Sequence, residues 1–251
     1  MLERTLPDGN KYYSPKTMFQ ENASIDKNID EIYNPLNPHH YETFYKIKEG
    51  MTVVDAGAYS GLFTLKASKL VGSGGLVIAL EPFPASFRVL EHNMKENKCK
   101  NVVVLNKGLW NCKCKKKLII QGAYTTNTVL RSQPSVKSIT AQLINLLNKL
   151  QMQFALRTNK LRFVEVELTT LDDVMKSFNL NRIDFLKLDI EGSEIEALKR
   201  YTKISNNNVL VAETHGNLGS VLYLINKLGY PLSNIHVVPI NERASIIHAK
   251  F

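Results

Sequence analysis

From residue 52 onward, short β-branched runs alternate with stretches of helical periodicity, and this restricts the fold more than any other feature of the chain. Thr52–Asp55 reads as a strand, and Leu62–Val71 as a helix with Leu62, Leu65 and Leu70 inward and Gly72 as its stop. Leu76–Leu80 follows the turn GSGG, Pro84 opens a helix striped by Phe87, Leu90 and Met94, and Val102–Leu105 is the next strand. Lys117–Ile120 and Thr128–Leu130 suit a hairpin across Gly122. The alternation resumes at Val164–Leu168, with a capping-box-like helix start at Thr170–Asp173. Next come the apolar run Ile183–Leu188, a helix from about Ser193 to Tyr201, and the strand Val209–Ala212. Leu218, Val221, Leu222, Ile225 and Leu228 mark a helix ended by Gly229, and Ile235–Val238 and Ser245–Ala249 form a closing pair. Strands alternating with helices predict a doubly wound, mainly parallel α/β sheet with an antiparallel edge pair.

Two segments fall outside that pattern. Residues 1–50 carry turn signals and read as an N-terminal cap on a domain spanning 51–251. Residues 131–162 read as a basic helical insert, with Ile139, Leu143, Leu146, Leu147, Leu150 and Phe154 on one face. From Asn97 to Val164 there are thirteen Lys or Arg residues and no Asp or Glu. Elsewhere 19 basic residues face 23 acidic ones, so the overall +9 is unevenly spread. Such a basic stretch suits an anionic partner (a phosphorylated substrate, nucleic acid or an anionic membrane surface) or is a solvated face. The insert is equally suited to a lid packed on the domain or a helix at a membrane interface. No apolar run reaches the roughly 18 residues of a membrane span, and the N-terminus lacks the pattern of a signal peptide. Three cysteines point to a reducing compartment, and a cytoplasmic protein, at most peripheral to a membrane, is expected.

The stretch VVDAGAYSG at 53–61 carries the chemistry. In an open α/β sheet, ligands bind beyond the carboxyl ends of the strands, where strand order reverses. The first strand delivers Asp55 to that edge, and Gly57 and Gly61 allow a tight turn with close ligand approach. The spacing fits neither a dinucleotide fingerprint nor a phosphate-cradling loop. A carboxylate there suits an ammonium group instead. The second strand ends LVIALEPF and brings Glu81 to the same edge, suited to the two hydroxyls of a ribose. An ammonium site beside a ribose site describes S-adenosylmethionine.

VVDAGAYSG resembles the first motif of the class I methyltransferases, and LEPF their second. FLKLDIEGSE, with TTLDD upstream and VAETHG downstream, resembles the fourth-strand signature of the FkbM-type methyltransferases, K-[IL]-D-[VI]-E-G-[AS]-E. The resemblance extends from NIDEIY at about residue 29 to INERA near the end, and the insert at 131–162 departs from it. It implies a Rossmann-like class I methyltransferase fold, with a seven-stranded, mainly parallel sheet ordered 3-2-1-4-5-7-6 and helices on both faces. It implies that Asp55, with Gly57, Ala58, Tyr59, Ser60, Gly61 and Phe63, holds the methionine end of the cofactor, and Glu81 the ribose. Pro82 and Phe83, with Asn106, Gly108 and Leu109, would flank the adenine.

Methyl transfer to an alcohol needs a positioned nucleophile and a group to take its proton. Candidates at the ends of the fourth and fifth strands are Lys187, Asp189, Glu191, Glu213 and His215. Asp189 is the leading active-site carboxylate and also a cofactor contact, and His215 suits a base because an imidazole titrates near neutrality. These carboxylates alternate along strand ends and are expected to point different ways, so no metal is assigned. His39 and His40 either line the cleft or lie on the surface. The acceptor expected is a hydroxyl on a small molecule, a sugar or a lipid-linked glycan. An RNA methyltransferase is the alternative, as is a non-catalytic domain that binds a nucleoside or an anionic surface.

Overall fold

The computed structural model describes residues 1–14, 22–120, 128–129, 162–202 and 208–251. Strands β1 (Leu2–Thr5) and β2 (Lys11–Ser14) pair as an antiparallel hairpin and precede α1 (Asn22–Tyr33). There follow β3 (Thr52–Ala56), α2 (Leu62–Val71), β4 (Leu76–Leu80), α3 (Pro84–Glu96) and β5 (Val102–Leu105). The middle of the chain supplies β6 (Gly108–Leu109), β7 (Cys114–Ile120), β8 (Thr128–Val129), β9 (Arg162–Thr169) and α4 (Leu171–Ser177). The remainder gives β10 (Phe185–Leu188), α5 (Glu194–Leu198), β11 (Val209–His215), α6 (Leu218–Lys227), β12 (Ile235–Pro239) and β13 (Ala244–Lys250).

Among the described residues the central sheet has seven strands in the order β5-β4-β3-β10-β11-β13-β12. Counted in chain order within that sheet, this is 3-2-1-4-5-7-6. β5, β4, β3, β10 and β11 run parallel, while β13 is antiparallel to both β11 and β12. The chain builds outward from β3 in one direction, then crosses back to lay β10 on its other side, so the switch point lies between β3 and β10.

Period-2 alternation sorts the core by face. Val54, Ala56, Ile78, Leu80, Leu186, Leu188, Leu210 and Ala212 pack with Leu171, Val174, Ala197, Leu198, Val221 and Ile225, from the helices of one side. Val53, Val77, Phe185, Val209 and Val211 face the other side, against Phe63, Ala67 and Val71 of α2. The N-terminal segment shares this second side, because Leu6, Tyr12 and Ile25 pack with Ala58, Leu65 and Leu90. Leu70 departs from expectation and is 37% exposed. It lies about 140° round the helix from Leu65 at 3.6 residues per turn, and Val71 takes the inward position.

β9 stands apart from the central sheet. It joins a second sheet, β6-β9-β7-β8, instead of continuing the central one. Its sequence shows why: Val166 and Leu168 are buried while Glu165 and Glu167 are exposed, a half-solvated alternation unlike the continuous apolar run of β4. The expected hairpin forms with Leu118 opposite Val129 and Ile119 opposite Thr128. Part of the basic stretch is cancelled here, since Lys115 lies 3.3 Å from Glu165 and Lys113 lies 3.0 Å from Asp173. The insert at 131–162, apart from Arg162 at the start of β9, lies outside the described residues, as does Gly122 of the hairpin turn. No helix among the described residues is long and apolar enough to cross a membrane.

Candidate active site at the switch point

The turn after β3 is held by backbone geometry that glycine makes possible. Gly57 has φ +76°, and a Cβ placed there would stand 1.8 Å from the Asp189 carbonyl oxygen, so the end of β10 presses directly on the turn. Gly57 and Ala58 both donate their N–H to Leu80 O at 3.0 Å, and Gly61 donates to Ala58 O at 2.8 Å. Gly61, at φ +88°, caps α2, whose first intrahelical bond is Leu65 N–H to Gly61 O. The N–H groups of Leu62, Phe63 and Thr64 therefore have no acceptor inside the helix, and Leu62 and Phe63 line the cavity, so this helix start is an anion-favouring end beside it.

Behind this turn lies a buried ion pair. Asp55 and Lys187 are direct cross-strand partners, with Lys187 Nζ 3.1 Å from Asp55 Oδ1. Thr64 Oγ1 donates to Asp55 Oδ2 at 2.6 Å, and Lys187 also donates to Gly57 O at 2.9 Å. Asp55 is wholly buried and does not line the cavity. The expected direct grip of Asp55 on a ligand ammonium is thus replaced by a grip on Lys187. Burial opposes the charge of Lys187, but Asp55 and Asp189 outweigh it and hold the ammonium above its ordinary value. It is a fixed cation and takes up no proton.

The outer groups meet on the same face. Asp189, Glu191 and Glu213 line one cavity of about 390 Å³, together with Gly57, Ala58, Tyr59, Leu62, Phe63, Lys187, and Lys27, Asn28, Glu31, His39 and Tyr41 from the N-terminal segment. The expectation that these carboxylates point apart is overturned by register, because 187, 189, 213 and 215 share the odd parity of one sheet face. His215 Nε2 is 3.4 Å from Glu213 Oε1 and 3.9 Å from Glu191 Oε2, and His39 Nδ1 is 3.8 Å from Glu213 Oε2. Glu213 raises His215 to about 9, more than offsetting burial, which favours the protonated imidazole at neutrality and weighs against the base role expected of it. Burial would raise Glu213, but the two imidazoles outweigh it and hold it at about 2. Glu191 shows the opposite balance: burial, then Asp189, push it up to about 7. It sits at φ +51°, followed by Gly192 at +89°, in the turn that leaves β10. No group of three or more His, Cys, Asp or Glu among the described residues is arranged to hold a metal ion.

Glu81 ends β4 beside Tyr59. Its Oε2 accepts from Tyr59 N–H at 2.9 Å and its Oε1 from Phe83 N–H at 2.8 Å, while burial lifts its carboxyl to about 7. Asn106 donates to the carbonyls of Glu81 and Pro82 at 2.8 and 3.1 Å and so fixes that corner. Gly108 packs against Pro82, where an added Cβ would stand 3.3 Å from Pro82 Cβ. Leu109 points into the main core and not toward the expected adenine side. Ser60 is also turned inward, its hydroxyl bonded to Tyr12, so only its neighbours in the turn face the cavity.

The methyltransferase FkbM domain model matches residues 55–232. The chain belongs to the FkbM methyltransferase family. As a member it is an S-adenosylmethionine-dependent methyltransferase. Methyltransferase 1 of Beauveria bassiana is 24% identical over 187 residues, 72% of each chain. Methyltransferase sdnD of Sordaria araneosa is 29% identical over 185 residues, 67% of each chain. The crystal structure of methyltransferase FkbM from Methylobacillus flagellatus shares the fold, with TM-score 0.52 and 14% identity over 83% of this chain and 45% of that one.

Of the residues singled out for this FkbM site, Gly57, Ala58, Tyr59, Phe63, Lys187, Asp189 and Glu191 line one cavity. Glu81 is tied to it through Tyr59. His215 stands beside it, partly exposed. Sequence reasoning missed Tyr41, whose hydroxyl lies 3.1 Å from Asp189 Oδ2 and 3.4 Å from Glu213 Oε2, and Thr64, whose hydroxyl completes Asp55. It noted His39 and His40 without separating them. His39 lines the cavity, whereas His40 is buried, with Nε2 3.0 Å from Lys66 Nζ. No local pattern marks Tyr41, because its partners lie 148 and 172 residues away.

Proposed function

We propose that the chain methylates a hydroxyl group on a small molecule, a sugar or a lipid-linked glycan, with Glu191 taking up the hydroxyl proton. The observation that carries this reading is the cluster of Asp189, Glu191 and Glu213 around one cavity, with Glu191 pushed up to about 7 by burial and by Asp189. A base works best when its pKa is close to the working pH. His215 supports Glu191 as a fixed cation, 3.9 Å from Oε2, which favours the ionised form needed to accept a proton.

The donor set suits S-adenosylmethionine. The N–H groups that open α2 match a carboxylate, the acidic wall of Asp189, Glu191 and Glu213 matches a sulfonium and an ammonium, and Glu81 at the end of β4 matches a ribose diol. When bound, the cofactor supplies an electrophilic methyl carbon. The chain's part is to exclude water with Phe63 and Tyr41, to hold the turn Gly57–Phe63 against β10, and to orient the acceptor oxygen toward Glu191. Residues 1–50 act in this reading as a cap over the catalytic domain at 51–251.

The test is transfer of label from methyl-labelled S-adenosylmethionine into separated small-molecule, glycan, lipid and RNA fractions. Label in an O-methyl product is the expected result, and label confined to RNA bases or amines would refute the reading. With the acceptor so found, Glu191→Gln is expected to lower turnover by about 10²–10⁴-fold while cofactor affinity is kept.

A further inference from the structure

Tyr41 precedes the stretch that the family model matches, yet it sits at the centre of the site. Its ring packs edge-on against Phe63, centroids 5.4 Å apart at 85°, and the Lys187 ammonium stands 5.3 Å from its centroid. The side chain is 6% exposed, so packing fixes where its hydroxyl points. That hydroxyl has one proton and two carboxylate neighbours on different strands, Asp189 Oδ2 at 3.1 Å and Glu213 Oε2 at 3.4 Å.

We propose that Tyr41 is a positioning residue for methyl transfer: its hydroxyl donates to Asp189, keeps that carboxylate ionised, and orients it into the cavity. The inference rests on the reading that Asp189 faces the cofactor. Two facts give Asp189 the better claim on the proton. It is the nearer acceptor, and Glu213 already has His39 Nδ1 at 3.8 Å and His215 Nε2 at 3.4 Å. Asp189 has more need of a donor. Burial raises its carboxyl, Lys187 at 3.7 Å pulls it down, and Glu213 pushes it up again. The other charged groups in its surroundings are Asp55 of β3, bound to Lys187, His215 of β11, which lowers it, and Glu191 in the following turn. The phenol is held well above its usual range by burial and by Asp189, so it stays a donor throughout the working range of pH. Donation to the ionised form favours that form.

The test is calorimetric titration of the full chain with S-adenosylmethionine from pH 5 to 9. Tyr41→Phe keeps the ring and removes only the hydroxyl. The acid-side loss of affinity is expected to move up by about one pH unit in this variant, with affinity at pH 8.5 within about threefold of the parent. Glu81 and Glu191, both at about 7, also titrate in this range, so Asp189→Asn is expected to remove only the share of the acid-side loss that belongs to Asp189, and adding Tyr41→Phe to it to change nothing further. A Tyr41→Phe profile that superimposes on the parent would overturn the proposal. So would a shift that persists in the Asp189→Asn background, because the hydroxyl would then act through Glu213. If Asp189→Asn leaves the parental profile intact, the placement of Asp189 at the cofactor fails, and this inference fails with it.

Discussion

Replacing Gly57 with Ala tests the closest approach in the site. The added Cβ would lie 1.8 Å from the Asp189 carbonyl oxygen and 2.8 Å from its carbonyl carbon, far inside any real carbon contact. Relief requires β3 and β10 to part by about 1.5 Å, which strains the bond from Asp189 N–H to Ala56 O, now 3.1 Å. Backbone strain adds about 1 kcal/mol, since an alanine at φ +76° leaves its allowed regions. A weakened ladder bond and the forced separation add about 2–3 kcal/mol more. We expect a total of about 3–4 kcal/mol, or roughly 6–16 °C in Tm at 2–4 °C per kcal/mol. Two controls divide the causes. Gly216 also has a positive φ, +73°, but an added Cβ meets nothing within 4 Å, so Gly216→Ala should cost only the backbone share. Gly74 has open space and no such φ, and Gly74→Ala should be close to neutral. The assay is differential scanning calorimetry of the three variants. If Gly57→Ala melts with Gly216→Ala, the packing of the turn against β10 is not what makes glycine necessary.

Two further outcomes follow from buried charges. Lys187→Met should destabilise by about 3–5 kcal/mol in urea unfolding, because it strands Asp55 in a site with no exposure, and adding Asp55→Asn should recover much of that loss. No recovery in the double variant would argue against the pair. His248 is fully buried, and neither ring nitrogen has a partner among the described residues, so burial, with His236 and His40, lowers it to about 4. Between its ordinary 6.5 and about 4 the unfolded chain binds a proton that the native state refuses, so stability falls as pH falls through that window. His248→Leu should flatten that decline in thermal melts, and an unchanged slope would rule out His248 as its source.

Much of the fold was legible because breakers bound its elements. α2 and β4 occupy the residues expected, set off by Gly61, by the GSGG turn and by Pro84. The sheet that β9 joins was not read from the alternation, because a strand's existence is local, whereas the choice of sheet depends on which faces are solvated. The alternation of Val166 and Leu168 with Glu165 and Glu167 was the available signal. At the site, Glu81 and Asp189 lie at the strand ends where they were sought, but charge states were not legible. His215 reads as an ordinary base until Glu213 is found 3.4 Å away. Asp55 reads as a ligand until Lys187 and Thr64 are seen to close both its oxygens.

The position of β13 bears on how the protein is made. All seven of its residues, Ala244–Lys250, pair with β11, and five of them also pair with β12. During synthesis from the N-terminus, β12 emerges with no strand to pair with, and β11 keeps one bare edge until β13 follows. The nascent chain therefore carries two open strand edges, each able to recruit another polypeptide. A ribosome that stalls or terminates before residue 244 releases a chain whose sheet ends at β11, with Glu213 on an unprotected border strand. A chain truncated before residue 244 should therefore behave as an aggregation-prone null, not as a partly active enzyme.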